Sequence, residues 1–332
     1  MLVLLLVLMP HLVAPADARD QEAVAAPALP GKSQSPGGTR TAVFPQEFSL
    51  GKLFVCVLPA GKHILPNSKV ISKTNESFIA EARGKVKLPT KGYVYLIPTY
   101  QLLEHPQVLR KLDPNIVDCV GLARVGVLES LDNLIEPLSH LTGLRRLDLE
   151  LAELPDDLLK NLKTLTKLEA LDLASCSVRG SFLKDLSALT NLEELDLSNN
   201  RLEPTAFAAI SQFHNLQELN LSYTGCTDAN VSDLIKLKNL RELFLVSTKI
   251  TAKGLCQLQT LKNLNYLDLT DIDLHAKDLC CLSSLKLKTL RLPRRYSFEQ
   301  MRMLETAMPA THLKVYRESI DKDTNKLLAP LK

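Results

Sequence analysis

The chain has 332 residues, 45% of them hydrophobic, with 40 Lys and Arg against 37 Asp and Glu, for a formal net charge of +3. That apolar content supplies a large core or two domains and excludes a wholly disordered chain. The charge is too small to point to a nucleic-acid partner, and seven cysteines are too few for a disulfide-dense scaffold.

Residues Leu2 to Val13 are nearly all apolar and run into Ala14-Pro15-Ala16 and Ala16-Asp17-Ala18, small-residue sites of the kind signal peptidases cut after. A signal peptide over 1–18 is expected, and with it a secreted, periplasmic or cell-envelope protein. The run is too short for a membrane span of about 20 residues and Pro10 interrupts it, so no membrane span is expected. No Lys or Arg precedes it, which departs from the usual signal; the competing reading is a buried N-terminal strand. Residues 19–43 mix Ala, Pro, Gly and Ser without a hydrophobic period, as a flexible linker does. From Phe44 the texture changes to short apolar or alternating runs, "KLFVCVL", "GKVKL" and "GYVYLI", separated by turn signals. A small β-rich unit over 44–116 is predicted.

The next segment repeats. Leu147, Leu171, Leu195, Leu219, Leu243 and Leu267 stand 24 residues apart, each followed two residues later by another leucine. Weaker copies start at Val120 and Leu290, so the array covers 117–292. In "ELDLS", Leu195 and Leu197 alternate with Glu194, Asp196 and Ser198, which predicts a short strand with leucines inward and polar residues outward. In "TAKGLCQLQTL", Leu255, Leu258 and Leu261 suit a short helix or helical turn with one face on the core. One such unit cannot bury both faces alone, but stacked units share a continuous core.

The iterated L-x-x-L-x-x-L-x-L, with Asn200 in "LDLSNNRL" and Thr224 and Thr248 in its place elsewhere, resembles leucine-rich repeat proteins, and "TDANVSDL" and "TAKGLCQL" resemble the 24-residue units of extracellular bacterial members. The resemblance implies an α/β fold, a right-handed leucine-rich repeat solenoid or horseshoe, and a binding role without naming the ligand. Ala152, Cys176 and Ile272 depart from the family's Asn and remove its side-chain bond to the turn. An open solenoid end would expose a sheet edge and a slice of core, so the 44–116 unit is expected to be an N-terminal cap. Residues 293–332 are expected to form a C-terminal cap and tail. There Phe298, Met301, Leu304 and Met308 fall at helical spacing, and Leu313 and Val315 alternate as a closing strand.

Cys56 and Cys119 are the pair that could cross-link the cap to the first coil. Cys256 and Cys280 occupy equivalent places in consecutive repeats; with helices stacked about 8–10 Å apart they are expected to remain unbridged thiols. Cys176 and Cys226 read as small buried residues. The cluster Asp268, Asp271, Asp273, His275 and Asp278 is expected to be a solvated turn and not a calcium loop, and the basic group Lys286, Lys288, Arg291, Arg294 and Arg295 a solvated coil end. No Cys/His or Ser/His/Asp constellation emerges, so neither a cofactor nor a metal is expected and the chain reads as a non-enzyme.

The outward strand positions carry the candidate site. They read Arg146, Asp148, Glu150; Ala170, Asp172, Ala174; Glu194, Asp196, Ser198; Glu218, Asn220, Ser222; Glu242, Phe244, Val246; Tyr266, Asp268, Thr270. Asp between two leucines is the habitual polar filler of such strands, whereas Phe244, Val246 and Tyr266 interrupt a polar surface as an exposed aromatic patch, the composition interfaces favour. The expectation is a scaffold that recognises an unidentified protein partner on its concave face through Phe244, Val246, Tyr266, Glu194, Asp196, Glu218, Asn220, Glu242 and Asp268. The alternative is an envelope hydrolase using neighbouring aspartates as a carboxylate pair, or an adhesin for surface glycans.

Overall fold

A computed structural model describes residues 38–58, 78–122, 131–293 and 296–315, all within one compact unit, Gly38–Lys332. The expected signal peptide, most of the linker, Arg294, Arg295 and the tail beyond 315 lie outside the described residues.

Within one coil the sequence chemistry becomes geometry. A three-residue strand places its central leucine on the core and its flanking residues on the opposite side. The described strands of the array are β6 (Cys119–Gly121), β7 (Arg146–Asp148), β8 (Ala170–Asp172), β9 (Glu194–Asp196), β10 (Glu218–Asn220), β11 (Glu242–Phe244), β12 (Tyr266–Asp268) and β13 (Thr289–Leu292). Neighbours pair in parallel with the repeat register, Leu147 opposite Leu171 opposite Leu195 and onward to Leu290. At the start of most strands two successive N–H groups share one carbonyl of the preceding coil: Glu193 and Glu194 both donate to Glu169, and Gln217 and Glu218 both donate to Glu193.

After each of β7 to β12 the chain leaves the sheet through a residue in the left-handed region. Leu151, Ser175, Asn199, Tyr223, Ser247 and Asp271, at 24-residue intervals, have φ between 51 and 65°. Asn, Asp and Ser tolerate this conformation; Leu151 and Tyr223 are bulkier and hold it because their N–H groups are tied to Ala174 and Val246 of the next coil. The chain then returns through helical segments of unequal regularity. Asp132–Leu138 (α2), Pro204–Ile210 (α4), Asp228–Leu234 (α5) and Ala252–Gln257 (α6) are α-helical, Asp156–Leu159 (α3) is a single turn, and Ser181–Leu186 and Ala276–Ser284 are 3-10 helices. Only one face of each needs to be apolar, and short turns suffice to bury it.

The missing asparagines do not break the array. Asn200 accepts the N–H groups of Cys176 and Val178 through Oδ1 and donates to three carbonyls through Nδ2. Elsewhere a smaller donor takes over: Thr224 and Thr248 donate to Leu221 and Leu245, and the Cys176 thiol lies 3.1 Å from the Leu149 carbonyl. Cys176 and Cys226 are fully buried.

The N-terminal unit joins the same sheet. β2 (Gly51–Cys56) pairs antiparallel with β5 (Tyr93–Pro98) and with β3 (Phe78–Glu81), and β5 runs parallel to β6. Leu53, Leu96 and Val120 therefore extend the leucine row, and one apolar core runs from Ala42 to Met308. The expected linker is too long at its C-terminal end, because Thr39–Val43 forms strand β1, paired antiparallel with β4 (Lys85–Pro89). The alternation Arg40, Ala42, Phe44 was masked by the surrounding Gly, Pro and Thr. After β5 come α1 (Tyr100–Glu104) and a 3-10 helix, Pro106–Lys111.

At the other end α7 (Phe298–Ala307) precedes β14 (His312–Val315), which pairs in parallel with β13. Leu304 and Met308 are buried, but Phe298, expected on the same stripe, is 85% exposed because it is the first residue of the helix, one turn short of the core. None of the described helices is long and apolar enough to cross a membrane.

Candidate binding face

The strand residues that flank the core leucines form the sheet face opposite the core, hereafter the non-core face. Its first row runs Tyr95, Cys119, Arg146, Ala170, Glu194, Glu218, Glu242, Tyr266, Thr289; its second runs Gly121, Asp148, Asp172, Asp196, Asn220, Phe244, Asp268, Arg291.

The second row explains why Asp and Asn recur there. Asp172, Asp196, Asn220 and Asp268 each accept, through Oδ1, the N–H group two residues on, at 2.9–3.1 Å, which satisfies the backbone where the strand ends. Asp196 also accepts the Ser198 hydroxyl and, through Oδ2, the Asn220 amide at 2.9 Å. These aspartates act on the turn of their own coil, and that role gives the alternative reading, a carboxylate pair, no support.

Phe244 cannot accept. The Val246 N–H, left without an intracoil partner, is instead taken by the Ser222 hydroxyl of the preceding coil at 3.2 Å. The coil has replaced a polar link by an aromatic and re-satisfied the backbone from its neighbour. Phe244 stacks against Tyr266 with ring centroids 5.0 Å apart.

The patch is not the exposed surface expected from the sequence. Phe244 is 7% exposed and Val246 5%, while Tyr266 is half-buried. Pointing away from the core does not mean pointing into water: strands about 4.8 Å apart let flanking side chains cover one another. Glu194, Asp196, Asn220 and Asp268 are buried for the same reason, and Glu218 and Glu242 are half-buried. The exposed aromatic nearby is Tyr223, 41% exposed in its left-handed turn.

Sequence reasoning also missed a buried ion-pair network. Arg146, fully buried, donates Nε to Asp148 Oδ1 at 2.6 Å, and Nη1 and Nη2 to the two oxygens of Glu194 at 2.6 and 3.0 Å. Arg146 is on β7 and Glu194 on β9, so the guanidinium crosses β8 above Ala170, whose methyl leaves the space. The signal was present in the small residue between an Arg and a Glu two repeats apart, but it requires the register to be read.

Burial acts on the titrating groups of this face. It raises the Asp268 carboxyl above the ordinary carboxylate range, outweighing the Thr270 bonds and the Arg291 guanidinium 3.4 Å away, and pushes the Tyr266 hydroxyl up to about 12. Toward the N-terminal strands the face is apolar, with Phe54, Tyr95 and Cys119 clustered and the Cys119 thiol raised by burial.

The cysteine expectations need two corrections. Cys56 and Cys119 do not bridge: they sit opposite Tyr93 and Tyr95 on the two sides of β5, separated by two strand spacings, about 9.6 Å, and by a two-residue offset along the strand, and both are free thiols. Instead Cys256 forms a disulfide with Cys281, with Cα atoms 5.4 Å apart. The stacking distance of 8–10 Å separates helix axes, whereas facing Cα atoms each lie about 2.3 Å inside those axes, which brings them within reach. Cys280 is the unbridged neighbour. Among the described residues no group of His, Cys, Asp or Glu gathers as a metal site.

No family model and no curated protein matches the chain. Among solved structures it is similar to an internalin (inlF) from Listeria monocytogenes str. 4b F2365, at 17% identity and a TM-score of 0.39, over 56% of this chain and 64% of that one, less than two thirds of its length.

Proposed function

We propose that this chain is a non-catalytic, exported leucine-rich repeat scaffold that recognises a protein partner on the non-core face of its sheet, centred on β10–β12. The observation that carries the reading is the Phe244 coil. Four coils use an Asp or Asn to hold the strand end, and this coil gives that up for an aromatic, drawing on Ser222 for repair. The exchange buries Phe244 against Tyr266 in a row otherwise polar, and a paired Phe and Tyr framed by carboxylates has the composition of an interface centre. The expected site therefore keeps Phe244, Val246 and Tyr266 with Glu194, Asp196, Glu218, Asn220, Glu242 and Asp268, in two roles. Phe244, Val246 and the buried polar residues shape the face, and Tyr266, Glu218 and Glu242 reach solvent.

In this reading the β1–β5 unit and its helices cap the solenoid, supported by the core they share with the first coil. The β-helix-β connections take the right-handed sense usual for parallel crossovers. Export is supported by the Cys256–Cys281 disulfide, a bond that persists in oxidising compartments. A photo-crosslinking residue placed at Thr289 of the non-core face should capture a protein from the native extracellular or envelope fraction. The same residue at exposed Gln259 on the helical side should not. Adducts at 259 and none at 289 would reject the assignment.

A further inference from the structure

The rim where the chain enters each strand changes charge along the array. The residue after the leucine or phenylalanine that closes each helical half is Thr142, Thr166 and Thr190 in the first coils, His214 in the next, and Lys238, Lys262 and Lys286 in the last three. The residue just before the strand follows the same trend, from Glu169 and Glu193 to Arg241 and Lys288. Backbone bonds hold this second row in register: the Arg241 N–H donates to the Gln217 carbonyl, that of Asn265 to Arg241 and that of Lys288 to Asn265, at 2.7–2.9 Å. Threonine serves the early coils at the place lysine occupies later, so folding does not require the cations.

Lys238, Arg241, Lys262, Lys286 and Lys288 are all exposed, and among the described residues none of them forms an ion pair, whereas Lys236 is held by Asp233. Neither row carries a carboxylate in these three coils. With coils about 4.8 Å apart the five charges add into one positive stripe, which attracts a polyanion. A second feature lies beside the stripe. Asn215, Asn239 and Asn263 donate Nδ2 to the Thr190, His214 and Lys238 carbonyls of the preceding coils at 2.7–2.9 Å, which fixes each amide and leaves its Oδ1 without a hydrogen-bond partner among the described residues. The three amides line a cleft of about 210 Å³ together with Glu193, Gln217 and Arg241.

We propose that this rim is a second binding surface, outside the face assigned to the protein partner, and that it takes an acidic polysaccharide. Amide oxygens repeated once per coil accept sugar hydroxyls, while Arg241 and the lysines beside them meet the acid groups. Glu193, on the N-terminal side of the cleft, repels an acid group and directs it toward the lysines. The other polyanions match this rim less well. Tyr223 and Phe298, the exposed apolar side chains of this half, come after their strands, at the opposite end of the coil, and leave a lipid surface nothing to anchor in here. Amides stand where stacking rings would serve a nucleic acid. All five cations are exposed, so binding falls steeply with salt.

The full chain is titrated into fluorescein-labelled, lightly sulfated dextran, with neutral dextran, polyvinyl sulfate of matched sulfate content and single-stranded DNA as comparisons, and anisotropy is read at low and physiological salt. Sulfated dextran should bind at least tenfold more tightly than neutral dextran, and several-fold more tightly than polyvinyl sulfate, which has the acid groups without the hydroxyls. The triple variant Lys238→Gln/Lys262→Gln/Lys286→Gln should lose roughly tenfold in affinity for sulfated dextran. Lys52→Gln/Lys87→Gln/Lys111→Gln, which removes the same charge from exposed positions of the N-terminal unit, should change little. Gln217→Ala should weaken sulfated dextran several-fold and leave polyvinyl sulfate unchanged. An equal loss in the two triple variants, or equal binding of neutral dextran or polyvinyl sulfate, would overturn the proposal. So would tighter binding of the DNA or of phosphatidylserine vesicles, each of which would put another class of polyanion on the rim.

Discussion

Replacing Ser222 by alanine tests whether the Phe244 coil has exchanged one backbone partner for another. Ser222 is 3% exposed and Val246 5%, so no water reaches the Val246 N–H when the hydroxyl is removed. An unsatisfied buried donor costs about 1–3 kcal/mol, and the 3.2 Å length of the lost bond places the cost in the lower half of that range, about 1–2 kcal/mol. Phe244→Asn supplies the alternative: an Asn Oδ1 can accept the Val246 N–H as Asn220 accepts that of Ser222 at 3.1 Å. Ser222→Ala in that background should then cost less than about 0.5 kcal/mol, giving a coupling of about 1 kcal/mol in a double-mutant cycle read by urea denaturation. Hydrogen exchange at the Val246 amide should accelerate in Ser222→Ala alone. Equal costs in the two backgrounds would refute the compensation and leave the aromatic at this position without a structural account. The cycle is needed because Phe244 is itself buried, so Phe244→Ala perturbs stability together with any binding it supports.

Asp268→Asn should flatten the pH dependence of stability. A carboxyl whose folded pKa is raised binds its proton more tightly in the native state, so its contribution is greatest in acid and is lost as pH rises from the ordinary carboxylate range through the folded value. Asn keeps an acceptor for the Thr270 N–H; a denaturation series that shows the same slope in both proteins would reject the assignment. Non-reducing peptide mapping should find Cys256 linked to Cys281 and no peptide joining Cys56 to Cys119, and Cys256→Ser should cost about 3.5 kcal/mol by loop closure over a separation of 25 residues. A chain beginning at residue 117 should uncover Val120 and the core below it, each buried side chain contributing about 1.5–3 kcal/mol, and should aggregate or melt lower. A monomer with unchanged melting would refute the capping role.

The repeat, its strand register and the division into core and non-core positions follow from the sequence alone, because leucines at a 24-residue step leave one parallel stacking that buries all of them. The same logic locates the β-rich unit and the helix and strand that close the array, since these too are one-face patterns. What the sequence could not decide lies between coils. Exposure depends on what flanks a side chain on the neighbouring strands, and so Phe244, marked as exposed by its polar equivalents, is covered. Arg146 and Glu194 are 48 residues apart and meet only because Ala170 is small in the strand between them. The Cys256–Cys281 bridge depends on which sides of two stacked helices face each other, and the Ser222 repair on a hydroxyl one coil away. Periodicity fixes the direction of a side chain within its own coil, whereas partners, burial and charge balance are set by the tertiary packing of one coil against the next.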